Sequence, residues 1–488
     1  MPVRHRLLYE INTAHWLDAW ATKLGKQVTL DQVPTSAWDA IAEQGADAVW
    51  LMGVWKRSHA AAQVVREHPS FAGDRAFFPD LTPQDIAGSA FAVADWSVDS
   101  RFGGEAALRR ARDELKKRGL ALYLDWVPNH VAPDHPWATQ HPEWCICGDD
   151  ADLARDPASF IRVGKAVLAR GRDPFFPAWA DTVQLDPNAP GLRKAAGEAL
   201  ASIAKLCDGV RCDMAMLMLP DVVERTWGKR ASPVGDGTYW STVIAAARKD
   251  NPALTILAEA YWHREADLVA VGFDGCYDKE LYDALVHHDA HAVRHAIGAT
   301  PGNMAVRFLE NHDEPRAAAT FPQNRLRAAA VVIATLPGTW LFHAGQEHAH
   351  QRRAPVTLMR GAREPDAPAT ARWWRDVTRL RTLPALAGTF AHAACHGWSG
   401  NPSTDNLLAW LWTSPEQRLL VVVNYSPWRS QGRVPLPWND LARREVLFDE
   451  PLDFGRGLLR NGDDLTQEGL YVDLAPWTWH VLTLPGVR

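Results

Sequence analysis

Four short segments of this 488-residue chain gather acids, bases and amides: Asp125-Trp-Val-Pro-Asn129-His130, Gly209-Val-Arg211-Cys-Asp213, Glu259, and Glu310-Asn311-His312-Asp313. Three of their carboxylates, Asp213, Glu259 and Asp313, can share the work of cleaving a glycosidic bond. That reaction needs one carboxyl group to protonate the leaving oxygen and another to attack the sugar carbon or activate water. Arg211 and Asp213 are two apart on one strand and point the same way, so the guanidinium favours an ionised Asp213, while Cys212 points toward the helix layer as packing. Glu259 must hold a proton near neutral pH, which calls for a less polar setting, and Leu257, Ala258, Ala260, Tyr261 and Trp262 are compatible with one. Asp313, with His312 beside it, can grip hydroxyls and steady an oxocarbenium-like transition state. A single Asp at a strand end is more often a cap or an ion-pair partner; four such segments in order carry the catalytic reading.

These segments need a scaffold that brings separated strand ends together. From Leu7 to about Leu383 short β-rich apolar runs alternate with amphipathic helical stretches, the pattern of parallel strands with helical crossovers. Eight strands are predicted: Leu7 to Asn12, Ala48 to Gly53, Ala121 to Val127, Gly209 to Met214, Thr255 to Glu259, Phe273 to Tyr277, Ala305 to Glu310 and Thr339 to His343. Helices such as Thr35 to Gln44, Gly104 to Arg118, Gly191 to Leu206 and Thr238 to Lys249 lie between them. Eight repeats predict a closed (β/α)8 TIM barrel, whose strand carboxyl ends open onto one face. Residues 131–182, rich in Pro, Asp, Trp and His and without a period, predict an inserted domain, because a structureless stretch that long is unusual. After about Pro384 the pattern alternates, predicting a C-terminal antiparallel β-sandwich. The expected division is 1–130 and 183–384 for the barrel, 131–182 for the insertion and 385–488 for the sandwich.

The segments resemble, in order and spacing, the four sequence regions of the α-amylase family, glycoside hydrolase family 13. Asp125-x-Val-x-Asn-His130 is similar to the first, Gly209-x-Arg-x-Asp213 to the second, Glu259 to the third and Asn311-His-Asp313 to the fourth. The resemblance implies that Asp213 is the nucleophile, Glu259 the general acid/base and Asp313 the transition-state stabiliser, with His130, Arg211 and His312 contacting the reacting sugar. Retention through a covalent glycosyl-enzyme is implied too, with the two working carboxyls about 5 Å apart. Ala90 to Gly104 resembles the family's second-strand loop, but Phe91 stands where a tyrosine usually stacks on the sugar; stacking survives the change and the phenol's hydrogen bond does not. Trp262, three residues after the acid, is placed to line the aglycone side. Asp125 would orient its neighbours. Asn129 is a calcium ligand in many relatives, which leaves Ca2+ near Asn129 open, although no cofactor is required and no metal site is assigned.

Composition narrows the partners. With 52 basic and 58 acidic residues the chain is mildly negative, with no basic patch fit for nucleic acid or anionic membrane. Apolar runs such as Ala328 to Leu336 fall short of the roughly 20 residues that span a bilayer. His5, Arg6, Glu10, Asn12 and His15 interrupt any leader-like core, and six scattered cysteines lack metal or redox spacing, so the expectation is a cytoplasmic protein acting on an α-linked oligosaccharide or glucan. Of 23 tryptophans, a minority would stack on sugar and the rest would pack. The paired histidines of Gln346-Glu-His-Ala-His350 follow strand eight in a loop, and Arg352 and Arg353 are read as solvated. Hydrolysis of α-glucosidic bonds is the leading reading. Beside it stand glucan transfer, a disaccharide-directed isomerase or phosphorylase, and a non-catalytic carbohydrate-binding barrel, against which intact carboxylates argue.

Overall fold

The computed structural model describes residues 6–235, 237–300, 302–453 and 457–486. Eight parallel strands close a barrel: β1 (Leu7–Asn12), β2 (Ala48–Met52), β3 (Ala121–Trp126), β4 (Gly209–Cys212), β5 (Thr255–Ala258), β6 (Gly275–Tyr277), β7 (Ala305–Arg307) and β8 (Thr339–His343). Each strand neighbours the next in the chain and β8 closes on β1, as the eight repeats predict. All their residues are buried except Ala121 at the start of β3, which is why they read as apolar runs rather than alternations. Between the strands run helices such as α1 (Thr35–Glu43), α2 (Gly104–Lys117), α3 (Pro190–Ile203), α4 (Tyr239–Asp250), α5 (Glu265–Ala270), α6 (Lys279–His287), α7 (Gln323–Thr335) and α8 (Pro368–Arg379). Their ends follow local chemistry. Glu105 opens and Lys116 and Lys117 close α2, matching the helix dipole. Pro190 occupies the first turn of α3, where its missing N–H costs nothing, and the Thr238 hydroxyl accepts the Ser241 N–H to start α4.

Predicted strands outrun the observed ones, most at the carboxyl ends of β4 and β7 and at the start of β6. β4 stops at Cys212 rather than Met214 and β7 at Arg307 rather than Glu310, while β6 begins at Gly275 rather than Phe273. Apolarity continues past each strand end, but the backbone there turns to present polar side chains.

The chain forms two compact units, residues 1–42, 46–277 and 352–364, and residues 43–45, 278–351 and 365–488. In the first, His130–Val131 pairs antiparallel with Val183–Gln184, and Cys147–Gly148, Phe160–Val163 and Ala166–Ala169 make a three-stranded sheet. Two helices there, Pro136–Gln140 and Asp150–Arg155, are five and six residues long. Elements this short leave no period in sequence. In the second unit, β9 (Thr389–His392), β10 (Leu407–Thr413), β11 (Gln417–Asn424) and β14 (Trp479–Pro485) form one antiparallel sheet, and β12 (Ser430–Val434) pairs with β13 (Leu470–Leu474). Leu411, Leu420, Val422, Val434, Phe448, Val472 and Leu482 share its core. β12 and β13 bury alternate residues, but β10 buries every residue but its last. Its second face is covered too, with the Trp412 indole donating to the Thr335 carbonyl at the end of α7 over 2.8 Å. Among the described residues no helix is long and apolar enough to cross a membrane.

A buried ion pair closes the second unit's inner layer. Arg307 Nε on β7 donates to Asp278 Oδ2 at 2.9 Å, while Asp278 Oδ1 accepts the Leu281 N–H and caps α6. Burial pushes the Asp278 carboxyl above its ordinary range despite the guanidinium, and lowers Arg307 as well, so desolvation outweighs attraction here. Removing one partner strands the other: Asp278→Ala is expected to cost about 3–5 kcal/mol, read from denaturant unfolding of the variant against the parent.

Candidate active site

Arg211 lies on β4 with its side chain almost wholly buried. Its Nη1 donates to Asp213 Oδ1 at 2.8 Å, its Nη2 lies 2.9 Å from Glu259 Oε2, and its Nε donates to the Tyr277 hydroxyl at 3.2 Å. The guanidinium carbon also sits 5.2 Å from the Trp50 ring centre, 5.3 Å from Tyr277 and 5.5 Å from Phe91. Such a planar cation is suited to this place, because its faces meet aromatic rings while its edge donates to carboxylates. One fork therefore holds the Asp213 and Glu259 carboxyls side by side. Burial raises the Tyr277 phenol well above its ordinary range, so it remains a neutral hydroxyl.

Backbone geometry aims the pair. The Asp213 N–H donates to the Trp126 carbonyl at 2.8 Å and the Glu259 N–H to the Cys212 carbonyl at 2.9 Å, extending the barrel ladder just past the strand ends. Met214 then takes a left-handed conformation, φ 41°, which is costly for a side chain of this kind and concentrates at functional positions. That turn points its N–H at Glu259 Oε2, 2.7 Å away, while the Tyr261 hydroxyl donates to Oε1 at 2.8 Å. The surround of Glu259 thus differs from the apolar one expected. Leu257, Ala258 and Ala260 are buried, but the carboxyl itself meets an amide, a phenol and a guanidinium, since neighbours along a strand say little about what faces its tip. Cys212 is buried, its thiol pushed far up, as packing requires.

The first segment acts mainly as support. Asp125 accepts from the Trp50 indole at 2.9 Å and the Gly53 N–H at 2.5 Å, fixing the end of β2 against β3. Asn129 Oδ1 accepts from Gln184 Nε2 at 2.9 Å, and Asn129 Nδ2 donates to Gln184 Oε1 at 3.3 Å. Both ends of that amide are in use, and among the described residues no group of three or more His, Cys, Asp or Glu is placed to hold a metal ion. His130 packs against Trp179, ring centres 4.9 Å apart, and bonds the Phe91 backbone. Burial drives its pKa down to about 3, so near neutral pH it is a neutral imidazole. Phe91 is buried against Arg211. Trp262 and His263 both have left-handed backbones, φ 62° and 57°, and the Trp262 ring meets Phe175 edge-on at 4.8 Å.

The fourth segment lies in the second unit. Glu310, fully buried, accepts the Ala317 N–H at 2.6 Å and pairs with Arg316 at 2.9 Å. Asn311 Oδ1 accepts the N–H groups of Asp313 and Glu314, both at 2.9 Å, which shapes the turn. Its effect is to bury His312 and leave the Asp313 side chain 48% exposed, with His312 Nε2 3.0 Å from Asp313 Oδ2. In the Gln346 to His350 segment the polar groups serve turns: Glu347 accepts the Gly345 N–H and His348 the Ala367 N–H. Arg352 is exposed but, contrary to a purely solvated reading, stacks 4.6 Å over Phe77 and donates to its carbonyl. Tyr261, Tyr277, Gln184 and Trp179 went unread as site residues. Tyr261 had a signal, standing two residues from Glu259.

Among curated proteins the chain is 26% identical to the α-amylase MalA of Haloarcula japonica over 341 residues, covering 65% of this chain and 41% of that one. It is 24% identical to the 1,4-α-glucan branching enzyme GlgB of Burkholderia cenocepacia over 501 residues, covering 90% and 60%. The chain is thus similar to proteins of the α-amylase family. It spans less than two thirds of the length of these relatives. Its fold matches a crystal structure of the maltogenic α-amylase AmyB from Thermotoga neapolitana with TM-score 0.71 at 17% identity, over 99% and 100% of the two chains. No family model matches the chain.

The buried histidines give the chain an acid limit. His130 and His135 have folded pKa values of about 3 and about 4, below the roughly 6.5 of an unfolded histidine. Between those values the unfolded chain binds more protons, so their contribution is complete above pH 6.5 and is lost as pH falls toward 3. Stability should drop by about 1.4 kcal/mol per pH unit for each such site. His135→Asn, which keeps an acceptor for the Trp137 N–H now bound by His135 Nδ1, is expected to flatten that slope in unfolding titrations at pH 7, 6 and 5.

Proposed function

We propose that this protein hydrolyses α-glucosidic bonds in α-glucans or maltooligosaccharides by double displacement with retention of configuration. The observation that carries the reading is the Arg211 fork, which engages Asp213 and Glu259 together. In the proposed course an Asp213 carboxylate oxygen attacks the anomeric carbon as Glu259 gives its proton to the departing glycosidic oxygen, leaving a glycosyl ester on Asp213. Glu259, now a carboxylate among three donors, takes a proton from water, and the resulting attack on the anomeric carbon frees Asp213. Two inversions restore the original configuration. Asp313 and His312 would bind hydroxyls of the reacting sugar and stabilise positive charge on its ring, and neutral His130 would hydrogen-bond the same sugar. The Phe91 face would stack on it. In this reading residues 131–182 form an inserted domain and 385–488 a terminal β-sandwich. Six free cysteines fit a cytoplasmic setting.

A second reading, transfer of the glycosyl group to another sugar, is favoured by one observation. Trp262 and the half-exposed Phe175 form an aromatic pair three residues beyond Glu259, a surface on which a sugar acceptor could stack. The likeness to GlgB across 90% of this chain points the same way.

Asp213→Asn is expected to lower kcat on maltooligosaccharides by about 10⁴-fold or more and Glu259→Gln by about 10²–10⁴-fold, with unfolding transitions preserved. Full activity in both variants would defeat the proposal. A product time course on maltooligosaccharides, starch, trehalose and sucrose separates the two readings: hydrolysis releases reducing ends in step with substrate loss, whereas transfer yields new oligosaccharides without them.

A further inference from the structure

The outward face of the β12–β13 pair carries two large rings in solvent. Trp398 is 49% exposed and Tyr471 40% exposed, their ring centres lie 6.3 Å apart, and their planes differ by 33°. Aromatic area left in water is unfavourable, and clustered exposed rings mark binding surfaces. The loop bearing Trp398 is held in place. His396 and Arg433 exchange backbone hydrogen bonds at 2.8 and 2.9 Å, the Asn401 N–H returns to the Trp398 carbonyl at 3.0 Å, and the Asn401 amide donates to the Gln431 carbonyl at 3.0 Å. Gly397 is required for this approach, since a Cβ there would meet Thr404 Oγ1 at 2.4 Å. Tyr471 is fixed on β13 opposite Arg433, whose guanidinium lies 5.9 Å over its ring and pairs with Glu468 at 2.6 Å. Both rings are therefore preorganised, and little ordering is needed when a ligand arrives.

We propose that Trp398 and Tyr471 form a second carbohydrate-binding site, apart from the catalytic residues, that takes a run of α-linked glucose units from a long glucan. The proposal rests on the substrate class put forward above. Two firmly held rings inclined to one another offer successive flat faces to successive pyranoses of a curved chain, and the apolar face of a pyranose covers an aromatic ring as water leaves. Charged donors and acceptors border the rings, Arg433 and Glu468 on one side and the Arg429–Asp473 pair, bonded at 2.7 and 2.5 Å, on the other. They match the hydroxyl-rich rim of a sugar. A second copy of this chain would instead ask for a broader apolar patch than two rings.

The test uses the full chain carrying Asp213→Asn, so that glucan is not consumed, and amylopectin as the probe in affinity gel electrophoresis. Trp398→Ala and Tyr471→Ala are each expected to weaken amylopectin binding by about tenfold or more, while Tyr471→Phe keeps it. In the otherwise unaltered chain the same alanine variants should turn over maltotriose at the parent rate. Unchanged amylopectin retardation in the Trp398→Ala/Tyr471→Ala double variant would overturn the site, as would a change of oligomeric state that accounts for the altered migration. If the parent binds amylopectin through these rings but never cleaves maltotriose, the catalytic reading fails and the surface site stands.

Discussion

Arg211 is the constraint on which the candidate site depends. Its charge is withdrawn from water, and a buried charge persists only when paired and fully bonded. Asp213, Glu259 and the Tyr277 hydroxyl supply the partners around its edge, and Trp50, Phe91 and Tyr277 supply the apolar faces. These residues come from β2, β4, β6 and the ends of strands between them, so satisfying one guanidinium draws several separate chain segments into register. Met214 accepts an unfavourable backbone within that arrangement because its N–H is wanted by Glu259. The support continues through Asp125, which accepts from the Trp50 indole and the Gly53 amide.

Much of this was legible in the chain. Buried parallel strands leave unbroken apolar runs, and β1 and β8 fall on the predicted residues at both ends. Arg211 and Asp213 declared their relationship through a spacing of two. What escaped were residues whose role is set by folding rather than by type. Tyr261 and Tyr277 look like packing in sequence, and only the approach of Glu259 to one and Arg211 to the other engages their hydroxyls. Gln184 lies 55 residues from Asn129, too far for any local pattern to reveal their paired amides. Phe91 reads in sequence as a sugar-stacking surface; what folding reveals is its ring against the Arg211 guanidinium.

The C-terminal strands teach a different lesson about reading alternation. β12 and β13 keep a polar outer face, and that regularity is visible in their sequences. β10 and β11 are apolar nearly throughout because both of their faces are covered, one by the β-core and one by packing that includes the Trp412–Thr335 bond. Period two is thus a statement about one-sided burial rather than about strands as such.

The segment after β3 has a small core of Val131, Ala138, Cys145 and Leu168 that also contains Val183, Leu185, Ala189 and Leu192. Its last member belongs to the helix beginning at Pro190. A nascent chain leaving the ribosome therefore cannot complete this part until some ten residues beyond the segment have emerged. For that interval, at the pace of translation, its apolar side chains remain uncovered.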